Sequence, residues 1–132
     1  MKIGLDTNLL VRYLTNDDRS QADKIEEFFN SLSDETTLMI NQVVLAELDW
    51  VLTQVYSYSK NDFLQVIDQL FNTQKITFIN PLIVQKAVRL YAQSKADFSD
   101  CYLGAINSNS GCKTTYTFDK QASTLSSFTL LE

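Results

Sequence analysis

Short apolar runs alternate along this chain with longer segments of helical periodicity, and this alternation constrains the fold more than any other feature. Runs typical of strands occur at residues 2–5, 37–40, 76–79, 114–117 and, more briefly, 129–131. Apolar residues recur every three to four positions in the segments between them, at 8–14, 18–29, 43–55, 59–71, 81–94 and 98–109. Strands that alternate with helices need right-handed crossovers and favour a mainly parallel sheet that helices cover on both faces. The pattern predicts a three-layer α/β/α fold with a mainly parallel sheet of four to five strands.

Capping signals support several of these helix boundaries. Asp18 is a suitable N-cap for the second helix, and the sequence from Ser59 to Asp62 resembles a capping box. Asn80 stands directly before Pro81, which predicts a helix that begins with a capping asparagine and a proline at its first position.

The composition is that of one ordinary domain. The chain has 132 residues, of which 45% are hydrophobic, and its three glycines and single proline do not form a linker. A chain of this size can bury a hydrophobic core without disulfides or structural metals, so we expect a single domain over residues 1–132. No apolar run approaches the ~18 residues of a membrane span, and the first residues lack the pattern of a signal peptide. We therefore expect a cytoplasmic protein without a membrane segment.

The chain contains no histidine, which excludes Ser-His-Asp and Cys-His mechanisms of catalysis. Its two cysteines, Cys101 and Cys112, lack the spacing of a zinc site, and we expect both to be reduced thiols in or near the core. The formal net charge of −5 argues against loose binding of nucleic acid, which depends on Lys and Arg. Any catalysis must therefore use carboxylates.

Four carboxylates lie where an uncompensated acid is unexpected: Asp6, Glu47, Asp100 and Asp119. Asp6 follows the first strand and Asp119 the fourth, at the edge of a parallel sheet where ligands collect. Glu47 falls on the apolar side of its helix, so we expect it to be buried, where an unpaired acid is costly. Carboxylates that meet repel one another unless a cation binds between them, and their oxygens suit Mg²⁺ or Mn²⁺. These acids predict a divalent metal site.

Each of these acids also has an ordinary structural explanation. Asp6 and Asp119 could simply cap the helical segments that follow them. Glu47 could form a buried salt bridge. Asp97 and Asp100 both suit the start of the last long helix, Asp97 as the N-cap and Asp100 in the first turn. Of this last pair we expect Asp100 to be the ligand and Asp97 to be the cap or a secondary contributor.

At these acids the chain resembles a PIN domain, and within that superfamily the VapC toxins of toxin–antitoxin pairs. The resemblance covers nearly the whole chain and rests on four blocks in order: LDTNLLVRYLTNDD (5–18), INQVVLAELDWVL (40–52), ADFSDCYLGAI (96–106) and TYTFDKQ (115–121). It implies a PIN-like fold and an endoribonuclease that hydrolyses RNA with Mg²⁺ or Mn²⁺. It further implies a homodimer and inhibition by a small VapB-type antitoxin, which would block the acidic groove with an Arg or Lys.

The resemblance also implies roles for particular residues. The catalytic acids of the family fall on Asp6, Glu47, Asp100 and Asp119, and the metal ligands on Asp6, Asp100 and Asp119. Supporting polar positions fall on Thr7, Asn8, Asp97 and Thr117. The family often has Ser where this chain has Asn41, and Ala where it has Gly104.

Three cations near the motifs are candidates for contacts to RNA phosphates: Arg12, Lys113 and Lys120. Ordinary solvated charges explain them equally well. Apolar residues exposed on the helices at 18–29 and 59–71 are candidates for partner surfaces, although periodicity does not separate them from core.

Two other functions compete with the ribonuclease. One is a PIN scaffold that holds RNA or a protein partner without cutting, which the intact acidic set disfavours. The other is a phosphatase with an aspartyl nucleophile, which usually has Asp-x-Asp after the first strand, whereas this chain reads Asp6-Thr7-Asn8.

Overall fold

The computed structural model describes residues 1–132, which form two compact units, Met1–Ile79 and Asn80–Glu132. We call these the first unit and the second unit. A single domain over residues 1–132 stays a prediction.

The first unit contains a three-stranded parallel sheet with β2 in the centre. The strands are β1 (Lys2–Gly4), β2 (Thr37–Ile40) and β3 (Ile76–Phe78). Two helices connect β1 to β2, namely α1 (Thr7–Thr15) and α2 (Arg19–Ser31). Two more connect β2 to β3, namely α3 (Gln42–Trp50) and α4 (Lys60–Phe71). Helical crossovers between parallel strands are the connection that the sequence predicts.

The core of the first unit is made of side chains from β2 and all its longer helices. The most fully buried are Leu10, Leu38, Ile40, Leu45, Leu48, Leu52, Phe63, Ile67 and Leu70. Burying one such side chain stabilises the fold by about 1.5–3 kcal/mol. This core holds α1, whose N-cap is the predicted site residue Asp6, and α3, which carries Glu47.

Helix α3 presents a different face to the core from the one that the sequence predicts. Its buried residues are Val44, Leu45, Leu48 and Asp49, whereas Glu47 is exposed. The prediction of a buried Glu47 is therefore wrong. Apolar residues also lie on the exposed side of this helix, since Val43 and Trp50 are exposed. Hydrophobic periodicity alone therefore does not identify which side is buried.

A π-helical turn at Val51–Val55 follows α3. The backbone N–H of Tyr56 donates to the carbonyl oxygen of Val51 over 3.2 Å, five residues back instead of four. The wider turn shifts the register of the side chains, so Val55 leaves the apolar face that a regular helix would give it.

The second unit contains two helices and a two-stranded parallel sheet. The helices α5 (Pro81–Gln93) and α6 (Phe98–Asn109) pack against each other, and β4 (Thr115–Thr117) pairs with β5 (Phe128–Leu130). All five predicted strands are present and every strand pair is parallel. The five strands are hydrogen-bonded as groups of three and two.

The predicted N-cap positions are confirmed at α2, α4, α5 and α6, but the side chain makes the capping hydrogen bond only at α2 and α4. Asp18 caps α2, and Ser59 and Asp62 form both hydrogen bonds of the capping box on α4. Asn80 precedes α5 in a left-handed conformation, with φ of 58°, and its side chain makes no capping hydrogen bond. Asp97 occupies the N-cap position of α6, but its side chain also makes no capping bond.

Two predictions about buried and exposed groups need correction. Cys101 is buried as expected, but Cys112 is exposed, so only one of the free thiols belongs to the core. The large exposed apolar side chains do not lie on α2 or α4, whose apolar faces serve the core. They are Met1, Val43, Trp50, Val55, Ile79, Leu82, Leu103, Tyr116, Phe118 and Leu131. No helix combines the length and the apolar character that crossing a membrane requires.

Gly104 of α6 is a position where a side chain would not fit. A Cβ atom there would lie 2.6 Å from Ser127 Oγ and 2.7 Å from the Phe128 ring. We expect Gly104→Ala to lower the free energy of unfolding, because overpacking costs about 1–3 kcal/mol and alanine recovers only about 1 kcal/mol of helix propensity. Urea denaturation followed by circular dichroism measures the difference.

Gly4→Ala is the matched control, since no atom lies within 4 Å of the added Cβ. We expect it to change stability by less than about 0.5 kcal/mol. Equal stability of the two variants would contradict the close contact between α6 and β5.

Candidate active site

Asp6 lies at the junction of β1 and α1 in the first unit. Its carboxylate Oδ1 accepts a hydrogen bond of 2.7 Å from the backbone N–H of Thr7, and the residue is the N-cap of α1. The capping role is therefore real, but it uses only one carboxylate oxygen. The side chain is exposed and its second oxygen makes no hydrogen bond, which leaves that oxygen available to a ligand.

A cavity of about 470 Å³ lies between α1 and α3 and contains two of the four predicted acids, Asp6 and Glu47. Its other lining residues are Thr7, Asn8, Val11, Arg12, Val51, Val55 and Tyr56. Glu47 lines this cavity because its side chain is exposed. Glu47 therefore reaches the cavity of Asp6 from the exposed side of α3.

The hydroxyl of Thr7 is a buried polar group in the wall of this cavity. Its Oγ1 has no hydrogen-bond partner, although the residue is only 6% exposed. An unsatisfied buried hydroxyl costs roughly 1–3 kcal/mol, and such groups commonly mark a position for water or an ion's hydration shell. The orphaned hydroxyl next to Asp6 thus fits a hydrated cation at this position.

Arg12 is held in a network within the first unit. Its Nε donates to Gln21 over 2.8 Å, and its Nη1 donates to Asp17 over 3.2 Å and to the Tyr56 hydroxyl over 3.3 Å. The Tyr56 hydroxyl donates to Asp17 over 2.6 Å, and this bond, with the bond from Thr15 and the charge of Arg12, lowers the pKa of Asp17. Arg12 is thus neither freely solvated nor unpaired, and its Nη2 remains for a phosphate.

Two neighbouring carboxylates act on Asp100 in the second unit. Asp97 and Asp100 lie at the start of α6, and Asp119 follows β4. Burial raises the pKa of Asp100, and the negative charges of Asp119 and Asp97 raise it further. The charge of a bound cation would lower this repulsion.

Asp119 is positioned by a set of short hydrogen bonds. Its Oδ1 accepts from the backbone N–H of Gln121 over 2.8 Å and of Ala122 over 3.2 Å. Its own N–H donates to the Thr117 hydroxyl over 3.0 Å, which gives Thr117 a structural role beside the acid. Asp119 therefore caps the turn that follows, as Asp6 caps α1, and again one carboxylate oxygen stays unused.

The four acids are brought together as two pairs, Asp6 with Glu47 in the first unit and Asp100 with Asp119 in the second. Neither unit by itself gathers three or more acidic or thiol groups at a spacing that would hold a metal ion. A single site made of all four carboxylates stays a prediction.

Sequence reasoning missed several groups around these acids. Tyr56 and Asp17 hold Arg12, and no local pattern links residues 39 positions apart. Asp49 is the buried carboxylate of α3, and the run of Leu45, Leu48 and Leu52 was the signal that could have revealed its face. Asn41 caps α3 through a bond of 2.9 Å from the Val44 N–H, as a serine would.

The charge of the chain is divided unevenly between the units. The first unit has six cationic and twelve anionic side chains, a balance of −6, and the second has five and four, a balance of +1. Lys113 and Lys120 are exposed in the second unit and form no ion pair. The net negative charge of the chain therefore comes from the first unit.

The family of the chain follows from comparison with known proteins. The PIN-domain family model matches residues 3–126. The chain belongs to the PIN-domain family, which confirms the predicted α/β fold class.

The chain is also similar to a VapC ribonuclease of Aquifex aeolicus (strain VF5), with 25% identity over 118 residues. The match covers 89% of this chain and 87% of that protein.

The coupling within the second unit can be measured by titrating Asp100. We expect Asp119→Asn to lower the pKa of Asp100 and Asp97→Asn to lower it less, because Asp119 contributes the larger repulsion. Asparagine retains the capping acceptor at position 119, so the local backbone should persist. Carboxyl-detected NMR titration gives the pKa values directly.

Glu132→Gln is the control, because it removes one exposed charge of the second unit that does not act on Asp100. An Asp100 pKa that stays at its wild-type position in Asp119→Asn would exclude the coupling.

Proposed function

We propose that this PIN domain is a metal-dependent endoribonuclease of the VapC type, which hydrolyses RNA phosphodiester bonds at Asp6, Glu47, Asp100 and Asp119. The observation that carries the proposal is the pairing of these acids within a chain of the PIN-domain family. Asp6 shares a cavity with Glu47, and Asp119 is close enough to Asp100 to raise its pKa.

The residues present fit Mg²⁺ or Mn²⁺ as the cofactor. Asp6 and Asp119 each keep one carboxylate oxygen free of hydrogen bonds, and oxygen ligands suit these hard cations. Held by Asp6, Asp100 and Asp119, the metal would supply the positive charge that activates a water molecule and stabilises the departing 3′ oxygen.

The chain's own residues supply positioning. Glu47 is exposed in the Asp6 cavity, where its carboxylate can accept a hydrogen bond from the attacking water and orient it. Arg12 lines the same cavity, and its unused Nη2 is the donor that can contact a phosphate oxygen. In-line attack of water leaves 5′-phosphate and 3′-hydroxyl ends without a covalent intermediate on the protein.

The proposed VapC-type function also implies partners and a cellular location. We expect a homodimer, a cytoplasmic location and a cognate VapB-type antitoxin that inserts an Arg or Lys between the acids. Val43 and Trp50 are exposed on the same helix as Glu47, which gives an antitoxin apolar surface beside the cavity. A short reading frame next to the gene, whose product inhibits the ribonuclease, would test the antitoxin.

Asp6→Asn tests the ribonuclease itself. Asparagine keeps the cap on α1 but removes the charge, so we expect a folded protein with at least about 100-fold slower cleavage of single-stranded RNA in Mg²⁺ or Mn²⁺. Cleavage by the unaltered protein should stop in EDTA and resume when the metal is restored.

Asp23→Asn is the matched control, since Asp23 is an exposed carboxylate of α2 outside the Asp6 cavity, and it should retain full activity. Full activity of Asp6→Asn would overturn the assignment. Absence of EDTA-sensitive cleavage by the unaltered protein would favour the non-cleaving scaffold.

A further inference from the structure

Two large aromatic side chains are exposed beside Asp119 in the second unit. Phe118 is 78% exposed and Tyr116 is 65% exposed. Tyr116 lies in β4, and Phe118 stands between the end of β4 and Asp119. Neighbouring exposed apolar groups of this size mark a surface that binds a ligand or a macromolecular partner.

Both rings occupy exposed positions two residues apart in the chain. Side chains alternate along a strand, and β4 follows this rule, because Thr115 and Thr117 are half-buried while Tyr116 is exposed. Thr129, the register partner of Tyr116 on β5, is exposed as well. Phe118 is the next exposed position after Tyr116 and stands one residue beyond β4, directly before Asp119 in the chain.

The backbone on both sides of Phe118 is held firmly. The Thr117 carbonyl accepts a hydrogen bond of 2.8 Å from the Leu131 N–H, and the Thr117 hydroxyl accepts from the Asp119 N–H. The Asp119 carbonyl accepts a bond of 3.0 Å from the Ser123 N–H. A ring presented from an anchored backbone loses little conformational freedom when it binds a partner.

The charge of the second unit favours an anionic partner for these rings. None of its five cations forms an ion pair, whereas Arg12 and Lys75 of the first unit do. Unpaired lysines such as Lys113 and Lys120 are typical of nucleic-acid surfaces and are depleted at interfaces between proteins.

We propose that Phe118 and Tyr116 form a stacking platform for unpaired RNA bases next to the phosphate that is cut. The proposal deepens the ribonuclease function and rests on it. Exposed aromatic rings combined with unpaired cations are how proteins hold single-stranded nucleic acid, the rings by stacking and the cations by neutralising phosphates. The stacking platform gives an acidic chain an affinity for RNA that does not depend on its net charge.

Binding of a labelled single-stranded RNA to the Asp6→Asn protein in Mg²⁺ tests the stacking platform without cleavage. In that background, Phe118→Ala should raise Kd by about tenfold or more, and Phe118→Trp should preserve it, because each stacked base contributes a factor of roughly 5 to 150. Phe118→Ala should leave the salt dependence of Kd unchanged. Lys120→Ala is the contrasting control, since a lost phosphate contact reduces the salt slope.

Fluorescence supplies a direct readout of stacking. The single tryptophan, Trp50, is replaced by Phe, and Phe118→Trp then carries the only indole of the protein. RNA should quench its emission, whereas an abasic ribose-phosphate chain of the same length should bind without quenching. Quenching by RNA but not by the abasic chain identifies contact between the indole and the bases rather than the phosphates.

Unchanged Kd in Phe118→Ala together with unquenched emission would overturn the stacking platform. A change of oligomeric state in Phe118→Ala with unchanged RNA affinity would also overturn it and would assign the rings to a protein interface. These outcomes are independent of cleavage. Failure of the unaltered protein to cut RNA would contradict the proposed ribonuclease function. Kd and quenching would still report whether bases stack on the rings.

Discussion

Repulsion between carboxylates is the constraint on which the candidate site depends. In the second unit, burial and the charges of Asp119 and Asp97 raise the pKa of Asp100. A fold keeps such an arrangement only where packing enforces it and a ligand relieves it. The packing is visible in the close approach of Gly104 to Ser127 and Phe128, which leaves no room for a side chain one turn after Asp100. The relief is the role that we assign to a divalent cation.

Helix and turn capping is the device that positions these acids. Asp6 and Asp119 each direct one oxygen to backbone N–H groups and leave the other unused. The ordinary explanation of these residues and the functional one are therefore compatible, because a cap fixes the orientation that a metal ligand needs. Asp97 differs, since its side chain makes no capping bond and its charge acts on Asp100.

Much of the fold could be predicted from the sequence, since the signals were local. The short apolar runs of the strands and the helical spacing of apolar residues between them were both clear. The predicted segments 37–40 and 98–109 agree with β2 and α6 at both ends. The face of α3 was predicted wrongly, because apolar residues lie on more than one side of that helix and a π-helical turn shifts the register of the residues that follow it. Asn80 and Asp97 occupy the N-cap positions as predicted but form no capping hydrogen bond, because a suitable side chain does not ensure the required backbone conformation or hydrogen bond.

The sequence by itself determined the α/β class, the order of helices and strands, and the identity of the acids, because hydrophobic periodicity and residue chemistry are properties of neighbours along the chain. Tertiary structure decided how those acids are used. It placed Glu47 in a cavity with Asp6, tied Arg12 to Asp17 and Tyr56, and left the Phe118 ring in water. Burial, ion pairing and cavities arise between residues distant in sequence, and only the packed fold brings those residues together.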